Sequence, residues 1–195
     1  MSANRDAVLN SFKTIIEMFQ AREKPDIVEH LQHVSESELD ELLRTKNVFS
    51  LSVPEKLRIV YYLEPKLKVP DLRSVINDDG GEYANTIIIL RDKTTSANIN
   101  SIHDMVNNVQ VFEIRELQFN ISKHKLVPKH RLIESSLIES SSILQRLNIK
   151  SRSQLPIILR SDPMAKFLNA KPGDLVEITR FSPTSAEHVF YRMCV

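Results

Sequence analysis

From Val8 onward, apolar side chains recur at intervals of three and four, with Val8, Phe12, Ile15, Ile16 and Phe19 forming one stripe. That spacing predicts an amphipathic helix. Pro25-Asp26 interrupts it, and Ile27, Val28, Leu31 and Val34 begin a second, short helix. Ser35-Glu-Ser-Glu38 then sets a hydroxyl three residues ahead of a glutamate, a capping-box pattern, followed by Leu39, Leu42 and Leu43. Three short helices are predicted for the first 46 residues.

The period then changes. Leu57-Arg-Ile-Val-Tyr-Tyr-Leu63 is β-branched and aromatic, Tyr83 to Leu90 has the continuous apolar character of a buried strand, and Val109 to Ile114 alternates. Between them Pro70 to Ile76 and Ala97 to Val106 have helical character, and the turn Asp78-Asp-Gly-Gly81 punctuates the region. Strand, helix, strand, helix, strand predicts a small, mostly parallel sheet flanked by helices, an α/β unit. After Phe119 the pattern shifts again. Leu126-Val-Pro-Lys-His130 is predicted extended, and Ile133 to Leu147 helical with Leu137, Ile138, Leu144 and Leu147 inward. Asp162-Pro163 begins a helix running to Leu168. In Lys171-Pro-Gly-Asp174 the proline fixes one central φ and the glycine supplies a positive one. Leu175 to Thr179 and Val189 to Val195 are predicted as paired strands. The expected boundary divides residues 1–119 from a compact α+β unit at 120–195.

Charge follows that boundary. Residues 121–195 carry 12 Lys and Arg against 6 Asp and Glu, whereas residues 1–120 carry 14 against 19. Such asymmetry suggests two units facing different partners. A basic segment suits a nucleic acid or an acidic protein surface, and charge alone leaves both open. With 42% hydrophobic and 26% charged residues the chain has the composition of an ordinary globular protein. Its single cysteine, Cys194, has no partner for an internal disulfide, which fits a reducing compartment. The most apolar run, Thr86 to Leu90, is too short to span a bilayer. Met1-Ser-Ala-Asn-Arg-Asp lacks the apolar stretch of a secretory signal. Only three glycines occur, Gly80, Gly81 and Gly173, and neither common phosphate-loop motif is present. A nucleotide-hydrolysing enzyme of the usual types is not expected.

The C-terminal segment resembles the shared fifth-largest subunit of eukaryotic nuclear RNA polymerases, whose C-terminal domain is similar to a small subunit of the archaeal polymerase. The matching words are Asn120-Ile-Ser-Lys-His124, Leu126-Val-Pro-Lys-His130, Ser153-Gln-Leu-Pro156 and Ser161-Asp-Pro-Met-Ala-Lys-Phe-Leu168. Lys171-Pro-Gly-Asp-Leu-Val-Glu-Ile178, Arg180-Phe-Ser182 and Tyr191-Arg192 follow in order. The N-terminal segment resembles that family's jaw domain, with looser identity around Glu64-Pro65-Lys66 and Ala84 to Leu90. Archaeal members lack the jaw, so the resemblance implies the eukaryotic form, in a nucleus, or one carried by a large DNA virus of eukaryotes, in a viral factory or virion.

The resemblance implies a non-catalytic subunit without cofactor or metal. It docks on the largest polymerase chain beside neighbouring small subunits and touches downstream double-stranded DNA by its backbone. For docking it points to His124, Pro128, His130, Asp162, Pro163, Arg180, Tyr191 and Arg192. His124 and His130, six apart on an extended segment, fall on one side of a strand; they either satisfy backbone groups at a seam or contact a partner. Arg180 and Arg192 either close a solvated ladder or form bidentate pairs with carboxylates. For DNA the resemblance points to Pro65 and to Lys93, Thr94, Thr95 and Ser96, where Thr95 replaces the family's usual proline. The hydroxyls of Thr94 and Ser96 either cap the following helix or bind phosphate. The chain also departs from the family at Arg180-Phe-Ser-Pro-Thr-Ser-Ala186, where a glutamate and a glycine are missing.

Three rival readings remain. Pro70-Asp71 with Glu113-Ile-Arg115 faintly echoes a magnesium nuclease, but arginine cannot release the proton that the usual lysine can. His30 and His33 share a helix face without a third ligand at metal-site spacing. A free-standing transcription adaptor is the remaining alternative to a polymerase subunit.

Overall fold

The computed structural model describes residues 2–78, 83–106, 108–136, 138–182 and 186–195. The turn expected at Asp78 to Gly81, apart from the Asp78 backbone, and the divergent Pro183 to Ser185 lie outside the described residues. The chain divides into two units, Met1–Phe119 and Asn120–Val195. Each combines helices with a four-stranded sheet. No helix among the described residues is long and apolar enough to cross a membrane.

The N-terminal unit opens with α1 (Ser2–Ala21), α2 (Pro25–Gln32) and α3 (Glu36–Thr45). The apolar stripe of α1 is buried through Val8, Phe12, Ile15 and Phe19. Its end is marked by Glu23 at φ +56° and by a Lys24 N–H that reaches back to the Phe19 carbonyl at 3.1 Å. At α3 the capping box forms as the sequence predicts: Ser35 Oγ accepts from the Glu38 N–H, and the Glu38 carboxylate accepts from the Ser35 N–H.

The sheet runs β1-β2-β3-β4, with β1 Val48–Val53, β2 Leu57–Tyr62, β3 Asn85–Leu90 and β4 Val109–Glu113. The pairs β2/β3 and β3/β4 are parallel, each connected by a helix: α4 (Val69–Asp78) and α5 (Ser96–Met105). β1 is antiparallel to β2 and lies outside the predicted elements. Its signal is nonetheless present, because Phe49, Leu51 and Val53 alternate with serines ahead of a tight turn.

Every side chain of β2 is buried, which a parallel strand tolerates only when both sheet faces are covered. On one face Val60, Tyr62, Ile88 and Leu90 meet Leu72 of α4 and Ile102 of α5. On the other, Tyr61 stacks on Phe49 with centroids 4.9 Å apart and shares a 3.1 Å hydrogen bond with Ser11 of α1. Burial pushes the Tyr61 hydroxyl well above its ordinary pKa, so it stays protonated. Arg58, the charged member of β2, is stabilised in place by a 2.8 Å bond to the Ile76 carbonyl in the last turn of α4 and by the Tyr83 ring.

The C-terminal unit has sheet order β5-β7-β8-β6: β5 Lys129–Ile133, β6 Ile157–Ile158, β7 Leu175–Ser182 and β8 Ala186–Cys194. Two helices accompany it, α6 (Ile138–Arg146) and α7 (Pro163–Leu168). Its core gathers Ile133, Ile143, Leu155, Leu175 and Tyr191. Asp162 caps α7 by accepting from the Met164 N–H at 2.8 Å, with Pro163 behind it, as predicted. Asn169 ends α7 in the left-handed conformation. In the turn that follows, the Asp174 N–H reaches the Lys171 carbonyl and Gly173 sits at φ +92°. A Cβ at Gly173 would meet only ordinary contacts, so conformation rather than space demands glycine there.

Two expectations need correction. The helix expected over Ile133 to Leu147 is shorter: Ile133 ends β5, α6 begins at Ile138, and Leu147 is exposed rather than inward. Ile143 supplies the buried side chain, Leu144 is half-buried against the same core, and Leu137 and the Ile138 side chain lie outside the described residues. Leu126 to His130 is likewise not one strand, because Lys125-Leu126 turns and β5 starts only at Lys129.

Removing core volume where both faces are covered has a defined cost. Ile88→Ala is expected to destabilise the N-terminal unit by about 2–5 kcal/mol, read from the midpoint of urea unfolding. A loss below about 1 kcal/mol would show that Ile88 does not sit in a closely packed core.

Candidate functional site

In the N-terminal unit the two segments singled out for DNA come together. A cavity of about 290 Å³ opens at the carboxyl ends of β2 and β3 and is lined by Pro65 and Lys66 on one side and by Arg91, Lys93, Thr94 and Thr95 on the other. Binding sites of open parallel sheets form at that edge, because the strands end there and the connecting loops diverge.

Each wall is held from below. Tyr62, the last residue of β2, accepts from the Lys68 N–H at 3.1 Å and donates to the Lys66 carbonyl at 3.3 Å, tying down the Pro65 loop. Across the cavity Thr95 is the N-cap of α5, accepting from the Asn98 N–H at 3.4 Å, and Thr94 accepts from the Asn98 side chain at 2.9 Å. The cap is therefore Thr95 rather than Thr94 or Ser96, to which the sequence assigned it, and Thr94 orients Asn98. Ser96, the first residue of α5, is exposed. Its N–H and that of Ala97 have no intrahelical acceptor, as at any helix start. Two carboxylates also line the cavity: Asp92 lies 3.7 Å from Arg91, and Glu64 accepts from the Asn47 side chain. Among the described residues Lys66 and Lys93 make no ion pair, so their charges face solvent. The sequence did not single out Tyr62, Lys66 or Asn98; Asn98 carries a signal, three residues beyond a threonine that begins a helix.

The residues of the nuclease echo have other partners. Asp71, in the first turn of α4, lies 3.7 Å from Lys68, and Glu113 is paired with Arg115. His30 Nδ1 bonds to the Asp26 carbonyl one turn back, and His33 is the C-cap of α2.

In the C-terminal unit the docking candidates separate into two kinds. Some are structural anchors. Asp162 is spent on the cap of α7. The Tyr191 hydroxyl donates to Glu177 at 2.9 Å and accepts from Arg146 at 2.5 Å, while Arg131 grips Glu177 through two bonds of 3.0 and 3.2 Å. Arg192 donates to the Ile157 carbonyl, stapling β6 to β8. His130 Nδ1 donates to the Pro128 carbonyl at 2.7 Å, fixing the entry into β5. The others face outward. His124, Pro163 and Arg180 are exposed, and Arg180 lies over the Phe190 ring. His124 and His130 do not share a strand as expected: His124 ends a 3-10 turn, Ile121–Lys123, and its Nδ1 accepts from the Leu126 N–H.

Two polar groups that the sequence did not reveal hold this unit closed. The buried Asp174 carboxylate accepts the Ser135 N–H at 2.8 Å and the Lys171 N–H at 2.9 Å. Arg152 bridges the same two loops through the carbonyls of Gly173 and Ser135. At the surface, Phe181 is 82% exposed with Val189 on the same face of the β7–β8 hairpin, and Phe190 is exposed on the other face. The signal for this two-sided exposure was an apolar pair adjacent in a strand, where an ordinary surface hairpin would alternate.

Residues 119–194 match the family described as RNA polymerase Rpb5, C-terminal domain. The chain is 46% identical over 78 residues to the DNA-directed RNA polymerase subunit Rpo5 of Pyrococcus abyssi, a stretch that is 40% of this chain and 92% of the relative. The Rpo5 subunit of Archaeoglobus fulgidus is 46% identical over 79 residues, 40% of this chain and the whole of the relative. DNA-directed RNA polymerase V subunit 5A of Arabidopsis thaliana is 27% identical over 143 residues, covering 72% of this chain and 63% of its own length. That stretch exceeds the C-terminal unit and therefore reaches into the N-terminal one.

The Arg131 pair holds the Glu177 carboxyl below its ordinary pKa, with further help from the Tyr191 hydroxyl. A depressed folded-state value gives stability that is complete above the unfolded carboxylate value of about 4.3 and is lost as pH falls through the folded one. Glu177→Gln should therefore flatten the acid limb of the unfolding curve between about pH 5 and pH 3, measured by thermal melts across that window. An unchanged acid limb would show that the pair contributes nothing to stability.

Proposed function

The chain belongs to the Rpb5/Rpo5 family of RNA polymerase subunits, and on that premise we propose how its two units serve a DNA-directed RNA polymerase. It is a non-catalytic subunit. The C-terminal unit, whose bounds nearly coincide with the family match, docks on the largest polymerase chain and touches neighbouring small subunits. RNA synthesis and its metal ions belong to other chains. The N-terminal unit holds downstream duplex DNA without reading sequence. Its place is the transcription machinery: the nucleus for a host chain, the factory or virion for a viral one.

One observation carries the DNA reading, the cavity that unites Pro65 with the Lys93 loop. Solvent-facing Lys66 and Lys93 attract phosphates, and Thr95 brings the positive start of α5 to the same cavity, contacts that suit a DNA backbone. Docking supports no chemistry of its own, which fits carboxylates that are already paired at Asp71 and Glu113.

Two experiments test these roles. The tagged full chain is expected to recover the two largest polymerase chains at one copy each and to retain them in high salt, and removal of residues 120–195 should abolish recovery. A chain that migrates alone from its own cells would instead be a free-standing adaptor. Lys93→Ala should assemble normally while the assembled enzyme releases downstream DNA more readily. Its salt dependence should shallow by roughly one unit of log–log slope, the signature of one lost phosphate contact. Unchanged DNA retention, or loss of the variant from the complex, would refute the cavity as a DNA contact.

A further inference from the structure

The β7–β8 hairpin ends in an open edge. On its inner side β8 pairs with β7 along its whole length, from Ala186 opposite Ser182 to Met193 opposite Leu175. On its outer side β6 covers only Met193 and Cys194. From Ala186 to Arg192 no strand lies beside that outer edge among the described residues.

The hydrogen bonds at the covered end show which groups face outward. Cys194 donates inward, to the Asp174 carbonyl at 2.8 Å, and accepts from the Gly173 N–H. Its neighbours bond outward, Met193 N–H to the Pro156 carbonyl at 2.9 Å and Val195 N–H to the Ile158 carbonyl at 3.0 Å. Antiparallel pairing alternates strictly. Continued back along β8, the N–H and C=O groups of Glu187, Val189 and Tyr191 therefore point to the open side.

The side chains around that edge have two characters. Arg180, His188, Phe190 and Arg192 share one face, with the Arg180 guanidinium over the Phe190 ring at 5.4 Å and the His188 ring against its edge. No carboxylate stands among these four. On the opposite face Val189 is 43% exposed beside Phe181, exposed more fully still. Sheet proteins ordinarily blunt such an edge with lysine, proline or a bulge. Here it is left straight, and apart from Glu187 opposite Phe181 it is apolar and cationic.

We propose that this edge receives an extended segment of a partner chain, added as a further strand in line with β6. The segment carries carboxylates toward Arg180, His188 and Arg192 and apolar side chains toward Val189 and Phe181. Backbone pairing supplies the attachment and the alternating side chains supply the register. This rests on the docking reading above and names its mode and the chemistry of the partner.

The test uses the full chain co-expressed with the other polymerase subunits. Val189→Pro removes one outward N–H and no bond to β7, a substitution that strand edges tolerate; Val189→Thr keeps the donor and the branched shape. Recovery of the two largest chains should fall at least about tenfold with Val189→Pro and stay at wild-type level with Val189→Thr. Melting of the isolated proline variant reports whether it folds. As a second measurement on the wild-type protein, the Val189 and Tyr191 amides should exchange at least about tenfold more slowly in the complex than alone, while Phe190 is protected in both states. Normal assembly of a folded Val189→Pro, or outward amides that exchange equally fast in the complex, overturns the proposal. So does a wild-type homodimer that Val189→Pro dissolves while polymerase recovery is unchanged, since the occupant is then a second copy. If the wild-type chain recovers no polymerase, the docking reading has failed first.

Discussion

The central strands of the N-terminal sheet are apolar on both faces, and that constraint arranges everything around them. Neither face of β2 or β3 can meet water without exposing isoleucine, valine or tyrosine, so helices must cover both. α4 and α5 cover one side as the crossovers of a parallel sheet, and α1 covers the other through Ser11 and Tyr61. With both faces closed, the unit can present loops only at the strand ends. The carboxyl edge brings Pro65 and Lys93 to one opening, although 28 positions separate them in the chain.

The C-terminal unit is secured differently. Its core is smaller, and its loops are held by charged groups turned inward on the backbone. Asp174 and Arg152 join the segment after β5 to the turn before β7 from opposite sides, one accepting N–H groups and the other donating to carbonyls. Breaking one partner of such a network leaves buried polar atoms unsatisfied, which costs more than the bond itself contributes. The outward residues Arg180 and Phe190 stand on the sheet that these bonds brace.

How much was legible in the sequence depends on whether the signal is local. The α1 stripe, the Ser35 capping box, the Asp162-Pro163 helix start and the Gly173 turn were all readable, because each is a relation among residues within a few positions. The alternation of β1 is equally local, but serines between its apolar positions make it faint beside the continuous run of β2. The extended reading of Leu126 to His130 failed because proline suits a turn as well as a strand edge, and the turn at Lys125-Leu126 has neither glycine nor asparagine to announce it. The helix at Ile133 failed because a strand end and a helix start, both apolar, lie five residues apart. The candidate sites fared similarly. A hydroxyl cap ahead of Ala97 was foreseeable, though not that Thr95 would supply it, and the roles of Tyr191, Asp174 and Arg152 rest on partners up to 45 positions away, a relation no single-sequence pattern encodes.

The two sheets also differ in the order in which their strands can meet. Every pairing in the N-terminal sheet joins strands that are consecutive along the chain, so β2, β3 and β4 can be added one after another. In the C-terminal sheet β5 waits for β7, with Arg131 and Glu177 46 positions apart, and β6 must wait for β8. Closing long loops before any contact rewards them slows folding. The β7–β8 hairpin itself is local, with Ser182 opposite Ala186, so the C-terminal sheet is completed only when β5 and β6 reach it across long loops.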